Sequence, residues 1–199
     1  KMAELAATTL DYENYHIFVG TYPNDPETQQ DVEKVCARFP NVHKVICARP
    51  GPTSKADCLN NVLNAITQFE QRACLKFEGF ILHDSEDVLS KMELRLFNYL
   101  IDKNDLIQLP VYPLKKSWTS FTSGHYLDEF AESHGKDLAV RTAVGASLPS
   151  AGVGCAIARP AVAKIAALRG GKPFDASSLT EDYELGLTLH QLGFRSIFA

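Results

Sequence analysis

The sequence predicts one α/β domain, built on a mostly parallel sheet with helices on both faces. Short runs rich in β-branched and aromatic residues alternate with segments whose apolar residues recur every three or four positions. This alternation is typical of parallel strands joined by covering helices. The chain has 199 residues, 45% of them hydrophobic, which is enough for a buried core without disulfide or metal support. No repeat or linker divides it, so residues 1–199 are expected to form a single domain.

Six segments are predicted strands because they are short, rich in Val, Ile, Phe or Tyr, and bounded by turn residues. In chain order they are residues 15–19, 42–48, 79–83, 106–111, 155–158 and 194–198. Gly20 ends the first, and residues 49–52, Arg-Pro-Gly-Pro, end the second. Ligands bind beyond the carboxyl ends of strands in such sheets, so the site is expected just after Val19, Ala48 and His83.

The segments between these strands carry the apolar spacing of helices. The predicted helices are residues 28–39, 56–74, 92–101, 161–168 and 180–192. Pro40 closes the first of them, and Gly193 stops the last. Residues 113–149 break the alternation, and we expect an irregular insertion there with one helix at 126–133.

Charge and cysteine content exclude several functional classes. The chain carries 20 Lys and Arg against 24 Asp and Glu, without a basic stripe, which argues against a nucleic-acid partner. No run approaches the roughly 18 apolar residues of a membrane span. The cysteines form no C-x-x-C pair, so we expect buried thiols and not a zinc site or disulfide frame. They are Cys36, Cys47, Cys58, Cys74 and Cys155.

An acidic tetrad, Asp84-Ser85-Glu86-Asp87, directly follows the third predicted strand. On an extended backbone, residues two apart point the same way, so Asp84 and Glu86 could present two carboxylates to one hard cation. A cation held in this way also binds phosphates. The structural alternative is a helix start, in which Ser90 caps a helix and the acidic residues favour its dipole.

Two further motifs place charged residues at helix starts. Thr180 is a plausible cap for a helix whose first turn carries Glu181 and Asp182. A carboxylate there could accept a proton from a sugar hydroxyl near a phosphate-binding metal, although capping alone also explains the pattern. Lys55 follows the rigid loop 50–54 and could contact a diphosphate oxygen, or it could simply be solvated.

Together these motifs, in this order and spacing, resemble glycosyltransferase family 2, the inverting nucleotide-sugar transferases of the GT-A fold. The metal-binding D-x-D of that family maps onto Asp84-Ser85-Glu86, and its T/E-D helix start onto Thr180-Glu181-Asp182. Its lysine-to-asparagine helix start maps onto residues 55–60. Residues 152–159 are similar to its glycine-containing acceptor-side strand that ends in arginine. The resemblance covers residues 1–199.

The resemblance implies transfer of a sugar from a nucleoside diphosphate donor, first of all a UDP-sugar, to a saccharide or lipid-linked acceptor. It implies that Asp84 and Glu86 hold Mg²⁺ or Mn²⁺. It places Asp182, as the general base, and Glu181 at the catalytic centre. Residues implied to contact the nucleotide are Thr21, Tyr22, Asp25, Lys55 and Asp84.

Residues 18–25, 51–57 and 82–87 are similar to a narrower bacterial group in that family, inner-membrane transferases connected with phage adsorption. That likeness implies a catalytic domain on the cytoplasmic face, with membrane contact only through segments outside this chain. The chain departs from the family pattern at two places. Glu86 replaces the usual second aspartate, and residues 20–22, Gly-Thr-Tyr, replace an aspartate pair that contacts base and ribose.

The first strand of the family should precede a helix like residues 1–10, and this chain begins at that helix. We therefore expect a fragment of a longer membrane protein whose first strand is missing. The strands at 15–19 and 79–83 are then expected to have one open edge each.

Other interpretations stay open at the level of sequence. The rival class is a catalytically inactive nucleotide-binding or phage-receptor scaffold, which the two departures favour. A dinucleotide dehydrogenase is disfavoured because residues 152–154, Gly-Val-Gly, lack the third glycine. Trp118, Phe121 and Tyr126 could stack on an acceptor sugar or cover core. His83 could be an extra metal ligand, or a hydrogen-bonded histidine.

Overall fold

The computed structural model describes residues 1–113 and 121–199, without the side chains of residues 121–126. These residues gather into two compact units. The first comprises residues 1–78, 84–99 and 162–181, and the second comprises residues 79–83, 100–161 and 182–199. Helices and strands are present in both, which confirms the α/β class. The single domain stays a prediction.

The first unit is built on a parallel pair of strands. β1 (Ile17–Thr21) and β2 (Val42–Ile46) pair one to one along their whole length. Helix α2 (Pro26–Cys36) connects them, so the predicted strand–helix–strand unit is confirmed. Helix α1 (Met2–Thr9) contacts β1, and helix α3 (Lys55–Ala73) contacts both strands.

Local chemistry sets where α2 begins. Asp25 caps the helix, and its Oδ1 accepts a hydrogen bond from the Thr28 backbone N at 3.0 Å. Pro26 occupies the first helical position, where a missing N–H costs nothing. The helix therefore begins two residues earlier than the apolar spacing predicts.

Helix α3 begins at the cap residue Ser54, whose hydroxyl accepts from the Asp57 backbone N at 3.3 Å. It ends at Cys74, which has a left-handed backbone with φ of 52°. All five cysteines are free, as predicted. Cys74 is exposed, however, because this end cap faces solvent, so its predicted burial is wrong.

A cluster of two histidines and three phenylalanines lies between the β1–β2 pair and α3. His16 Nδ1 and His43 Nε2 are 2.8 Å apart, so the two rings share a hydrogen bond. The Phe69 ring lies within 5 Å of both imidazole centres, at 4.9 and 4.6 Å. Burial lowers the pKa of both histidines, and for His43 the neighbouring His16 and Arg72 lower it further. The fold therefore favours two neutral imidazoles.

The second unit is built on a four-stranded sheet. Its strands are β3 (Gly79–Leu82), β4 (Leu106–Gln108), β5 (Cys155–Ala158) and β6 (Ser196–Phe198), in the spatial order β3-β5-β4-β6. All residues of β4 and β5 are buried, which makes these strands the core of the unit.

Strand pairing in this sheet is mixed, which differs from the mostly parallel sheet that the sequence predicts. β4 and β6 are parallel, but β5 is antiparallel to both β3 and β4. Gly152 and Gly154 have φ values of +72° and +58°, which glycine adopts without strain. They turn the chain into β5 in the reverse direction, and Gly154 N donates to Leu82 O at 3.0 Å where the ladder begins.

Residues 121–143 are more regular than predicted. α5 (Phe121–Glu132) continues through a π-helical stretch (Ser133–Asp137) into α6 (Leu138–Ala143). His134 is buried there, and its Nδ1 accepts from the Val111 backbone N at 3.1 Å. The helix predicted at 126–133 is confirmed, but the helical structure continues past its predicted end to Ala143, where Leu138 is buried. Residues 114–120 of the predicted insertion lie outside the described residues.

The remaining helices lie close to their predicted positions: α4 (Glu93–Ile101), α7 (Arg159–Leu168) and α8 (Glu181–Gln191). Within the described residues, no helix has both the length and the low charge needed to cross a bilayer. Over the same residues β1 has β2 as its one paired neighbour, and β3 has β5.

Candidate active site

The acidic turn, residues 84–87, lies directly after β3. The chain bends at Ser85 and Glu86, and the Asp87 carboxylate closes the bend by accepting from Asp84 N at 2.9 Å. Asp84 is half-buried, whereas Glu86 is exposed and accepts from Ser85 Oγ at 3.0 Å. The extended backbone assumed for this segment is therefore wrong. Helix α4 begins only at Glu93, so the acidic turn is not its first turn either.

Lys55, at the start of α3, contacts the acidic turn. Its Nζ lies 2.6 Å from Asp84 Oδ1. The two side chains are 34% and 39% exposed, so the ion pair is accessible to solvent and to a ligand. Two residues that the resemblance assigns to the nucleotide thus meet directly in the first unit.

Hydrogen bonds between two side chains and the backbone hold the start of α3 in place. The Asn60 amide pairs twice with Phe174, donating to its O at 2.8 Å and accepting from its N at 3.1 Å. Ser54 Oγ donates to Ala176 O at 3.2 Å. The asparagine of the predicted lysine-to-asparagine motif is therefore occupied in positioning the helix.

The loop after β1 is joined to the loop before α3. The Asn24 side-chain amide pairs with the Gly51 backbone through two hydrogen bonds, of 2.8 and 2.7 Å. Tyr22 OH lies 3.0 Å from Thr53 Oγ1. The Tyr22 ring also lies against Gly51, where an added Cβ would be only 2.8 Å from the ring. The predicted contact residue Tyr22 is thus fixed beside the loop that leads to Lys55.

Thr21 and Asp25, also predicted to contact the nucleotide, serve the local fold in the structure. Thr21 is buried, and its Oγ1 donates to Val45 O at 3.0 Å. The capping hydrogen bonds from Thr28 hold the pKa of Asp25 below its usual value. Their nucleotide contacts stay predictions, and at Thr21 such a contact would involve the backbone.

Asp57, in the first turn of α3, is a buried acid that sequence reasoning missed. Its Oδ1 lies 2.7 Å from Arg49 Nη2, and its Oδ2 is buried without a hydrogen-bond partner among the described residues. Burial, together with Cys47 and Asp57, raises the pKa of the adjacent Cys58 thiol to about 12. This thiol is therefore not a nucleophile at neutral pH.

The acidic turn fits a divalent cation by its chemistry. Asp84 and Glu86 supply carboxylate oxygens, the ligands that Mg²⁺ and Mn²⁺ prefer. Within residues 1–113 and 121–199, no group of three or more His, Cys, Asp or Glu side chains could hold a metal. A cation here would take its remaining ligands from phosphate oxygens and water, as Mg²⁺ commonly does.

In the second unit, Asp182 lies against the glycine loop, residues 151–154. A Cβ added at Gly152 would be 2.2 Å from Asp182 Oδ2, so the carboxylate rests directly on the glycine backbone. Asp182 is half-buried, and its Oδ1 accepts from Tyr183 N at 2.7 Å. Glycine is required at position 152 both for this close contact and for its positive φ.

A second glycine sets how closely α8 packs on its own unit. A Cβ at Gly186 would lie 2.3 Å from Leu148 O and 2.7 Å from Ser150 N. The backbone of the helix therefore packs directly against the backbone of residues 148–150, with no space for a side chain between them. This contact fixes the helix that carries Asp182.

Gln108, the last residue of β4, organises the glycine loop and was not singled out by sequence reasoning. It is fully buried, and its Oε1 accepts from Ala151 N at 2.8 Å. Its Nε2 donates to Val153 O at 2.9 Å and to Gly154 O at 3.3 Å. In the sequence, this glutamine lies between apolar residues of a predicted strand. That position could have indicated a buried amide, which needs hydrogen-bond partners from the backbone.

The other predicted residues have the following positions. Glu181, the first residue of α8, is buried. Arg159 lies over the Phe80 ring, 5.2 Å from its centre. Trp118 and the side chains of Phe121 and Tyr126 lie outside the described residues, so their predicted stacking on a sugar stays a prediction.

Comparison with known proteins matches the sequence of this chain to one family. The pattern that defines "Glycosyltransferase like family 2" matches residues 3–199. The chain is 68% identical over 197 residues to "Bacteriophage adsorption protein B" of Escherichia coli (strain K12). It is equally similar to "Bacteriophage N4 adsorption protein B" of Escherichia coli O157:H7. The matches cover 99% of this chain and 26% of each relative.

These matches confirm two predictions from the sequence. The first is the family with its GT-A-like α/β fold, and the second is the narrower likeness to the phage adsorption group. The family acts in general on a nucleotide-sugar donor and an acceptor.

Proposed function

The chain belongs to glycosyltransferase-like family 2, and from this premise we propose that it is an inverting, metal-dependent glycosyltransferase domain. It moves a sugar from a nucleoside diphosphate donor, with UDP-sugars as the first candidates, to a saccharide or lipid-linked acceptor hydroxyl. The observation that carries the proposal is the direct contact between Lys55 and Asp84, 2.6 Å apart. This contact places the Lys55 ammonium, which suits a diphosphate oxygen, next to the Asp84 carboxylate, which suits a metal ion.

The start of α3 and the acidic turn supply the groups for the leaving diphosphate. Asp84 and Glu86 would hold Mg²⁺ or Mn²⁺, which supplies a positive charge to neutralise the departing diphosphate. The Lys55 ammonium lies at the N-terminus of the 19-residue helix α3, where the helix dipole also favours an anion. Tyr22 and Asn24 keep the preceding loops in place.

The start of α8 supplies the base. Asp182 removes the proton from the attacking acceptor hydroxyl, whose oxygen then forms the new bond to the sugar as the bond to the diphosphate breaks. A single displacement of this kind inverts the configuration at the sugar carbon. Gly152 supports the Asp182 carboxylate, and Glu181 begins the helix that presents it.

We extend the proposal to the whole protein, because this chain spans 26% of the length of the relative that it matches. The domain would work at the cytoplasmic face of the bacterial inner membrane. Its contact with the membrane would come through segments outside these 199 residues.

A second candidate function is a nucleotide-binding or phage-receptor scaffold without catalysis. Two observations favour it: both relatives are named as adsorption proteins, and residues 20–22 lack the usual aspartate pair. A scaffold of either kind would not turn over a sugar donor, and a phage-receptor scaffold would not bind nucleotide either.

A thermal-shift measurement with UDP, in the presence and absence of Mn²⁺, separates the transferase from a phage-receptor scaffold. The transferase predicts stabilisation by UDP that depends on Mn²⁺, because only a bound ligand stabilises the folded state. Asp84→Asn should abolish this effect, while Asp31→Asn, on α2, should leave it intact. Stabilisation that is absent in the parent, or that survives Asp84→Asn, would contradict the proposed site and favour the scaffold.

A further inference from the structure

We propose that Lys55 is a displaceable counter-ion of Asp84, and that this exchange makes metal and nucleotide binding cooperative. The inference rests on the proposed function and adds to it a thermodynamic coupling between two ligands. In the free protein, Lys55 occupies the carboxylate oxygen that a divalent cation needs. When a nucleoside diphosphate binds, the ammonium moves to a phosphate oxygen and Asp84 becomes available to the cation.

The geometry allows the side chains to exchange while the backbone stays in place. Lys55 Nζ and Asp84 Oδ1 are 2.6 Å apart, and both side chains keep more than a third of their surface exposed. Such exposed pairs are weak, so a ligand can separate them at small cost. The Ser54 cap fixes the first turn of α3, which begins at Lys55, and the Asp84 backbone N donates to the Asp87 carboxylate.

Charge balance explains why the exchange favours joint binding. Mn²⁺ alone must displace an ammonium from Asp84 and then remain next to it, which repulsion disfavours. A diphosphate alone must also draw Lys55 away, leaving Asp84 as an unpaired negative charge near the phosphates. When both ligands bind, the pair is broken once and every charge has an opposite neighbour.

This coupling has a reciprocal form that can be measured. If UDP raises the affinity for Mn²⁺ by some factor, Mn²⁺ must raise the affinity for UDP by the same factor. Part of this factor arises because the first ligand to bind already separates the Lys55–Asp84 pair. The second ligand then binds without that cost. Removing the Lys55 charge should therefore tighten Mn²⁺ binding alone and reduce the coupling.

The test is a titration of Mn²⁺, followed through the paramagnetic resonance of the free ion, with and without UDP. Lys55→Gln should tighten Mn²⁺ binding without UDP by about two- to fivefold, the range expected for an exposed pair. It should weaken UDP binding and lower the coupling factor by a similar amount. Lys55→Arg keeps a cation and should behave like the parent.

Controls separate this role from general charge and from folding. Lys34→Gln removes the same charge on α2, where Lys34 pairs with Asp31, and it should leave Mn²⁺ affinity unchanged. Unchanged melting temperatures would show that each variant is folded. If Lys55→Gln leaves Mn²⁺ affinity and coupling unchanged while Asp84→Asn removes Mn²⁺ binding, the counter-ion role is overturned and the metal site stands. If the parent binds no Mn²⁺ even with UDP, the metal-dependent function fails together with this inference.

Discussion

The two units hold their candidate site residues by different forces. In the first unit, Lys55 and Asp84 meet through an ion pair whose side chains are both partly exposed. In the second unit, Gln108 fixes the glycine loop through neutral hydrogen bonds and is fully buried. Asp182 then rests on Gly152 without room for even one more carbon.

This difference agrees with the different roles proposed for these residues. An exposed ion pair is weak and exchanges partners readily, which suits residues that must bind and release a charged donor. Buried hydrogen bonds and close backbone contacts are costly to disturb, which suits a base that must stay oriented. Four changes, taken from the largest expected effect to the smallest, test the contrast.

Asp182→Asn should lower turnover by at least about a hundredfold, the usual contribution of a positioned general base. Asparagine fills the same volume and can still accept a hydrogen bond from Tyr183 N, so the affinity for donor should barely change. Steady-state kinetics with donor titration measure both quantities. Glu184→Gln, on the same helix, is the matched control. An equal loss of donor binding would instead identify Asp182 as a nucleotide contact.

Gly152→Ala should lower turnover by about tenfold or more, because a new methyl group must push the Asp182 carboxylate away, and small displacements of reacting groups are costly. Alanine is also strained at the φ of +72°. Gly145→Ala controls for this strain alone, since Gly145 has φ of +67° and open space around it. Equal turnover in the two variants would show that contact with Asp182 has no catalytic consequence.

Gln108→Leu should lower the free energy of unfolding by about 1–3 kcal/mol, because several backbone groups of the glycine loop lose their buried partner. Arg95→Gln breaks an exposed pair with Asp11 in the first unit and should cost less than about 1 kcal/mol. Urea unfolding of both variants gives the comparison. Similar costs for the two would remove the proposed difference between the units.

Acidification should destabilise the fold through the histidine cluster of the first unit. His16 and His43 have pKa values below the unfolded value of 6.5, so the unfolded chain binds more protons as the pH falls. Stability is therefore complete above pH 6.5 and is lost as the pH falls from there through the lower folded values. His134 in the second unit contributes in the same direction, because burial lowers its pKa too.

Melting temperatures at pH 7.5 and 5.5 test this effect. The decrease between the two pH values should be smaller in His43→Gln than in the parent, because glutamine keeps a hydrogen bond but does not titrate. His190→Gln changes an exposed histidine and should leave the decrease unchanged. A decrease of the same size in all three proteins would show that other groups determine the acid sensitivity.

Most secondary structure was predictable because it depends on local pattern. The strands at β2 and β5 and the helices α3, α4 and α8 begin and end within a few residues of their predicted bounds. The start of α2 was missed by two residues because its cap, Asp25, is polar and lies outside the apolar spacing. Helix α6 was missed because Leu138 is its one buried residue, and a single apolar position gives no helical spacing.

The sequence by itself determined the family, the α/β class and the residue types of the candidate site, because these are properties of short motifs and their order. Only the tertiary structure decided that Lys55 pairs with Asp84, that the acidic turn bends, and that β5 runs antiparallel. It also showed that Gln108 and Gly152 support the loop beneath Asp182. These features depend on contacts between residues far apart in the chain, and no local pattern of side chains specifies which distant groups will meet.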